Sequence, residues 1–168
     1  MSTPTSTAPE DTEQLRQAVA SAVGAEPVAS DPGMTALRDA EIGTPLLAGD
    51  NDGAPAFWLV PLLQGDRACG YARADLGGRV AQVSAFGAGA GDTAAWLPAQ
   101  YFSEPPRRLV DEVRARHPGA PLAAARFSFD TSPARWAWRI AIGEPAESIA
   151  FLAHDGWYEK PLRRREGA

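Results

Sequence analysis

The chain has 168 residues, 45% of them hydrophobic, and a net charge of −5. That length supports one sizeable core or two small ones, and the charge lacks the basic excess that a phosphate-backbone binder carries. No apolar stretch nears the ~20 residues that span a bilayer, and the single cysteine, Cys69, excludes an intrachain disulfide.

Residues 1–10 are rich in Ser, Thr and Pro and read as a disordered tail. They have neither the basic start nor the apolar core of a signal peptide, so a cytoplasmic protein is expected. Acidic residues crowd the first 52 positions, nine acids against two bases, which leaves the remainder slightly basic. A helix is predicted to start at Asp11 or Thr12. Leu15, Val19 and Val23 fall four apart along one stripe, and Gly24 and Pro27 end it. Asp31-Pro-Gly33, Gly43-Thr-Pro45 and Asp50-Asn-Asp-Gly53 are turns. Between them, Ala36–Ala40 suits a helical turn and Thr44–Ala48 a short strand.

Three strands are predicted over 56–64, 67–76 and 79–86, joined by compact turns at Gln64-Gly-Asp66 and Gly77-Gly78. The first is apolar on both faces and so should be covered on both sides. Its Pro61 cannot donate to a ladder and belongs at a bulge or an edge. Residues 88–102 form a Gly-rich linker. A second helix is capped by Ser103, tolerates Pro105 and Pro106 in its first turn, and carries Leu109, Val110 and Val113 as its stripe. Three more strands are predicted near 121–130, 134–142 and 147–154. In the middle one, Trp136, Trp138, Ile140 and Ile142 alternate with Arg135, Ala137, Arg139 and Ala141, giving one apolar face and one arginine face. Trp157–Lys160 continues the sheet or closes its edge, and 161–168 is a basic tail with Arg163-Arg164-Arg165.

A phrase recurs along the chain. Pro55-Ala-Phe-Trp58 and Pro133-Ala-Arg-Trp136 each open an apolar run that ends at a glycine followed by an acid, Gly65-Asp66 and Gly143-Glu144. The expected fold class is therefore α+β. Two α-β-β-β half-modules arising by internal duplication, residues 11–87 and 103–160, each place a helix across an antiparallel sheet. Trp58 and Trp136 are then equivalent core anchors, and Trp96 plugs the seam.

Phe57-Trp-Leu-Val-Pro61, followed by Gly70-Tyr-Ala-Arg-Ala-Asp75-Leu-Gly-Gly-Arg-Val80, resembles the PepSY and cystatin-like group: an apolar strand, a second strand, an Asp-plus-Gly hairpin and a short valine-bearing strand. Residues 134–157 repeat this more loosely. The resemblance implies tandem helix-plus-meander modules, commonly extracytoplasmic and proposed to inhibit or chaperone peptidases. It implies no catalytic residues.

The candidate chemical motifs mostly have plainer readings. Gly87-x-Gly89-x-Gly91 lacks the spacing and the following helix of a dinucleotide loop. Asp50-Asn-Asp52-Gly53 lacks the later glutamate of a calcium loop. Ser128-Phe-Asp130-Thr-Ser132 offers hydroxyls without a nucleophile elbow. His117 suits a helix C-terminus, and His154 beside Asp155 belongs to a turn. No metal-ligand spacing, cofactor motif or catalytic constellation emerges.

The leading expectation is a non-enzymatic binding or accessory protein, inhibition and immunity-type roles included. It engages a protein or peptide partner, not a nucleic acid, near Arg135, Trp138, Arg139 and Trp157, because exposed indoles beside arginines make recognition surfaces. Two alternatives stay open. One is a small-molecule site or enzyme with a pocket lined by Trp58, Cys69, Tyr71 or His154. The other is an assembly component, including a homo-oligomer, that pairs through exposed strand edges.

Overall fold

A computed structural model describes residues 9–87 and 92–162. The expected disordered start of the chain, the glycine run 88–91 and the arginine run 163–165 lie outside the described residues, wholly or for the most part. In chain order the elements are α1 (Pro9–Gly24), β1 (Glu41–Ile42), β2 (Leu46–Gly49), β3 (Pro55–Gln64), β4 (Arg67–Ala74), β5 (Val80–Ala85), β6 (Leu97–Pro98), α2 (Arg107–Arg116), β7 (Arg126–Phe129), β8 (Trp136–Ile142), β9 (Ser148–Leu152) and β10 (Trp157–Pro161). No helix among the described residues is long and apolar enough to cross a membrane.

Two compact units emerge, Met1–Leu47 with Ala56–Phe102, and Ala48–Pro55 with Ser103–Ala168. In the first, β3, β4 and β5 form an antiparallel meander, with β1 added to β3 and β6 to β4. Gly65 and Gly78 take positive φ in its turns, where a side chain would be strained. Leu15, Val19 and Val23 of α1 pack with Val60, Leu62, Cys69 and Ala72 into one core, and Trp58 and Trp96 lie half-buried against it. The register shifts between Leu62 and Leu63, so the core side chain passes from Ala72 to Cys69. Pro61 sits just before this bulge, and its carbonyl accepts from Gly43 N at 2.8 Å. The Cys69 thiol, fully buried, donates to Leu62 O at 3.3 Å, and burial pushes its pKa up. It is a packed small hydrophobe, the inert role of a buried thiol.

In the second unit β7, β8, β9 and β10 run antiparallel in sequence order, and Gly49 at the end of β2 pairs with Ser128 in parallel. The Ser128 hydroxyl donates to Gly49 O at 2.6 Å. The helix α2 buries Leu109 and Val113, and α2 packs on β9.

The expected fold class, two helix-covered α-β-β-β half-modules, is corrected. Among the described residues there are ten strands of mixed pairing and only two α-helices, of 16 and 10 residues. Short pairings were illegible because two to four residues carry too little alternation to register as a period. The duplication fails on position as well. Trp58 lies in the first strand of the β3–β5 meander and pairs with Ala74. Trp136 lies in the second strand of the β7–β10 meander and pairs back to Phe129. The shared phrase marks a strand entry twice without placing it equivalently.

Candidate functional site

The second unit places one buried carboxylate at the centre of a polar cluster. Asp130 follows β7 and closes the hairpin to β8, with its N–H donating to Arg135 O at 2.9 Å. Within the turn, Ser132 N donates to Asp130 O at 2.6 Å and Arg135 N to Ser132 O at 2.8 Å. This compact path carries Thr131 to φ 66, a left-handed conformation that a β-branched residue rarely holds. On β10, Tyr158 and Lys160 are two residues apart and project to the same face. Tyr158 OH donates to Asp130 Oδ2 at 2.7 Å, Lys160 Nζ to Oδ1 at 2.7 Å, and Thr131 Oγ1 to Oδ1 at 3.0 Å.

The carboxylate is 4% exposed, while Lys160 is 47% exposed and Arg135, 3.9 Å from Oδ2, is 62% exposed. Burial works to raise the Asp130 pKa, but the hydrogen bonds from Lys160, Tyr158 and Thr131 outweigh it and hold the carboxyl below its usual value. Burial, and then the Asp130 acceptor, push the Tyr158 phenol up to about 12. The Tyr158 ring stacks on Phe151 at 5.4 Å and 23°. A buried acid therefore fixes two exposed side chains and offsets one of two exposed cations.

This chemistry suits recognition better than proton transfer. A phenol pushed up to about 12 neither gives nor takes a proton readily near neutral pH. The Asp130 oxygens are already engaged by three donors. Arg135 instead presents a planar set of donors from an ordered hairpin.

The four sequence-predicted residues divide between the two faces of this sheet. Trp138 is 7% exposed and meets Phe127 edge-on at 5.4 Å. Trp138 and Trp157 both pair with Leu152 and so share a face. Trp157 Nε1 donates to Glu112 of α2 at 3.1 Å, which places both indoles on the helix side. Arg135 and Arg139 alternate onto the other face, where Arg139 pairs with Phe151 and Phe151 with Tyr158. Arg139 is half-buried and donates to Asp50 O at 2.8 Å and Asn51 O at 2.6 Å, tying down the Asp50–Gly53 turn. The structure thus joins Arg135 to Tyr158 and Lys160, not to the indoles.

Sequence reasoning missed Asp130, Tyr158 and Lys160 as a group. The i, i+2 spacing of Tyr158 and Lys160 was a usable signal, but their convergence on a residue 28 positions earlier was not. The pocket residues proposed for an enzyme do not lie in one unit: Trp58, Cys69 and Tyr71 belong to the first and His154 to the second. His154 and Asp155 occupy the exposed β9–β10 turn, 3.9 Å apart. His117, at the end of α2, lies 2.8 Å from Glu159, which also accepts from Ser148 Oγ at 2.6 Å. That chain fastens α2 to β10. Among the described residues no group of three or more His, Cys, Asp and Glu is placed to hold a metal.

Compared with known proteins, the chain matches no family model, no curated protein and no solved structure.

Proposed function

We propose that this protein is a non-enzymatic binding or accessory protein of the cytoplasm that recognises a protein partner through Arg135, Tyr158 and Lys160. Inhibition of the partner, an immunity-type role included, falls within this reading. The observation that carries it is the buried Asp130 carboxylate, which fixes Tyr158 and Lys160 beside an arginine that is 62% exposed. Tyrosine and arginine dominate binding hot spots, and a side chain held in place before binding loses less entropy on docking. The Trp138 and Trp157 indoles act beneath this surface as scaffold, on the helix side of the sheet.

Affinity capture from the native cell with the wild type, Arg135→Ala and Arg114→Ala tests this reading. Arg114 lies on α2, is 67% exposed and pairs only with Asp111 among the described residues. One partner retained by the wild type and Arg114→Ala, and lost by Arg135→Ala, is the expected result. Retention by all three proteins would refute the proposed surface.

A further inference from the structure

Resting on that reading, we infer that the partner offers an acidic segment, with a carboxylate seated on Arg135 next to Tyr158. Charge complementarity at a defined place points to this occupant. Asp130 is the single acid of the cluster, and Lys160 engages it directly at 2.7 Å. Thr131 and Tyr158 occupy the carboxylate further. Arg135 stands 3.9 Å from Asp130 Oδ2, so among the described residues the cluster sets two positive charges against one carboxylate, and Arg135 is the more distant and more exposed of the two.

The nearest acid along β10, Glu159, projects to the opposite face, where His117 and Ser148 hold it. Arg135 and the Tyr158 hydroxyl both lie beside Asp130 Oδ2, at 3.9 and 2.7 Å. A planar guanidinium matches a carboxylate two bonds at a time, which an ammonium does not. A nucleic acid would need an extended basic surface, and the chain carries a net charge of −5.

The test is an amide-shift titration of the full chain with a ten-residue glutamate-rich peptide, with glutamine-rich and lysine-rich peptides of equal length for comparison. Saturable shifts at residues 131–135 and 158–160 are expected with the acidic peptide alone. Arg135→Ala should weaken its binding about tenfold, Arg135→Lys should restore part of the loss, and added salt should weaken it further. No saturable shift, or shifts centred on Arg107, Arg108 and Arg114 of α2, would overturn the inference. So would equal binding of the neutral peptide. If Arg135→Ala loses the captured partner while the acidic peptide fails to bind, the partner's chemistry is wrong and the surface stands. If capture is indifferent to Arg135, the functional reading itself falls.

Discussion

The Tyr158 hydroxyl donates to Asp130 Oδ2 at 2.7 Å and so ties β10, which among the described residues pairs with β9 alone, to the far end of β7. Backbone ladders alone would leave β10 held along one edge. Lys160 adds a second side-chain tie to the same carboxylate. The cluster is therefore both a fastening for the terminal strand and the frame that presents Arg135.

Replacing Asp130 by Asn should destabilise the fold by about 2 kcal/mol at neutral pH, since hydrogen bonds to a buried charge are lost while the half-exposed Lys160 and Tyr158 regain water. The Asp130 pKa is lowered in the folded state. Its stabilisation is therefore fully present above the unfolded value of about 3.9 and disappears as pH falls through the lower folded value. Urea unfolding of both proteins across pH should show the difference closing in acid and constant from about pH 6 upward. A difference independent of pH would show that Asp130 acts by shape and not by charge.

Tyr158 titrates as a group raised in the folded state, up to about 12. Its contribution to stability is complete below the ordinary tyrosine value of about 10 and is lost as pH rises through the folded value. The difference in phenolate absorbance between wild type and Tyr158→Phe should stay near zero at about pH 10.5, where a free tyrosine would be mostly ionised. In an Asp130→Asn background the same difference should appear at lower pH. Ionisation at the ordinary pH in the wild type would contradict the hydrogen bond.

Thr131 holds φ 66 in an exposed turn. Replacing it by Gly should relieve about 1 kcal/mol of backbone strain, partly offset by the lost Thr131–Asp130 hydrogen bond. Thermal unfolding should therefore show Thr131→Gly at least as stable as the wild type, while Thr131→Val falls below it. A clear loss for the glycine variant would mean that the hydroxyl outweighs the strain.

In the first unit, a Cβ on Gly70 would stand 2.3 Å from Ser84 O and 2.7 Å from Leu37 Cδ2, so backbone must move to admit it. Gly70→Ala should cost about 3 kcal/mol. Gly24, at the end of α1, has nothing within 4 Å of such a Cβ, and Gly24→Ala should be neutral or stabilising by a few tenths of a kcal/mol. Chemical denaturation of the two variants side by side checks the contrast, and equal stability would show that β4 and β5 are farther apart at Gly70 than the structure has them.

The longer elements were legible for a physical reason: a strand buried on one face alternates, and a helix repeats its stripe. Predicted strands at 56–64, 67–76 and 79–86 answer to Pro55–Gln64, Arg67–Ala74 and Val80–Ala85. The stripe of Leu15, Val19 and Val23 is the buried face of α1. The predicted cap at Ser103 gave way to a start at Arg107, because Pro106 keeps an extended backbone at ψ 113. The alternation in β8 also separated Trp138 from Arg139 correctly, yet grouping them as one surface ignored what alternation means for a sheet covered by a helix. The Asp130 cluster was hidden for another reason. It depends on the register of β7 through β10 and on a turn conformation at Thr131 that no local residue preference announces.

In the proposed function, the hairpin tip beside Arg135 meets the partner. A photo-crosslinking residue placed at Ala134, exposed in that tip, should give one defined adduct in the native cell. The same residue placed at Ala146, exposed in the β8–β9 turn at the other end of β8, should not. The Ala134 adduct should vanish when Arg135→Ala is added. Identical adducts from both positions, or an Ala134 adduct that survives the loss of Arg135, would contradict the account.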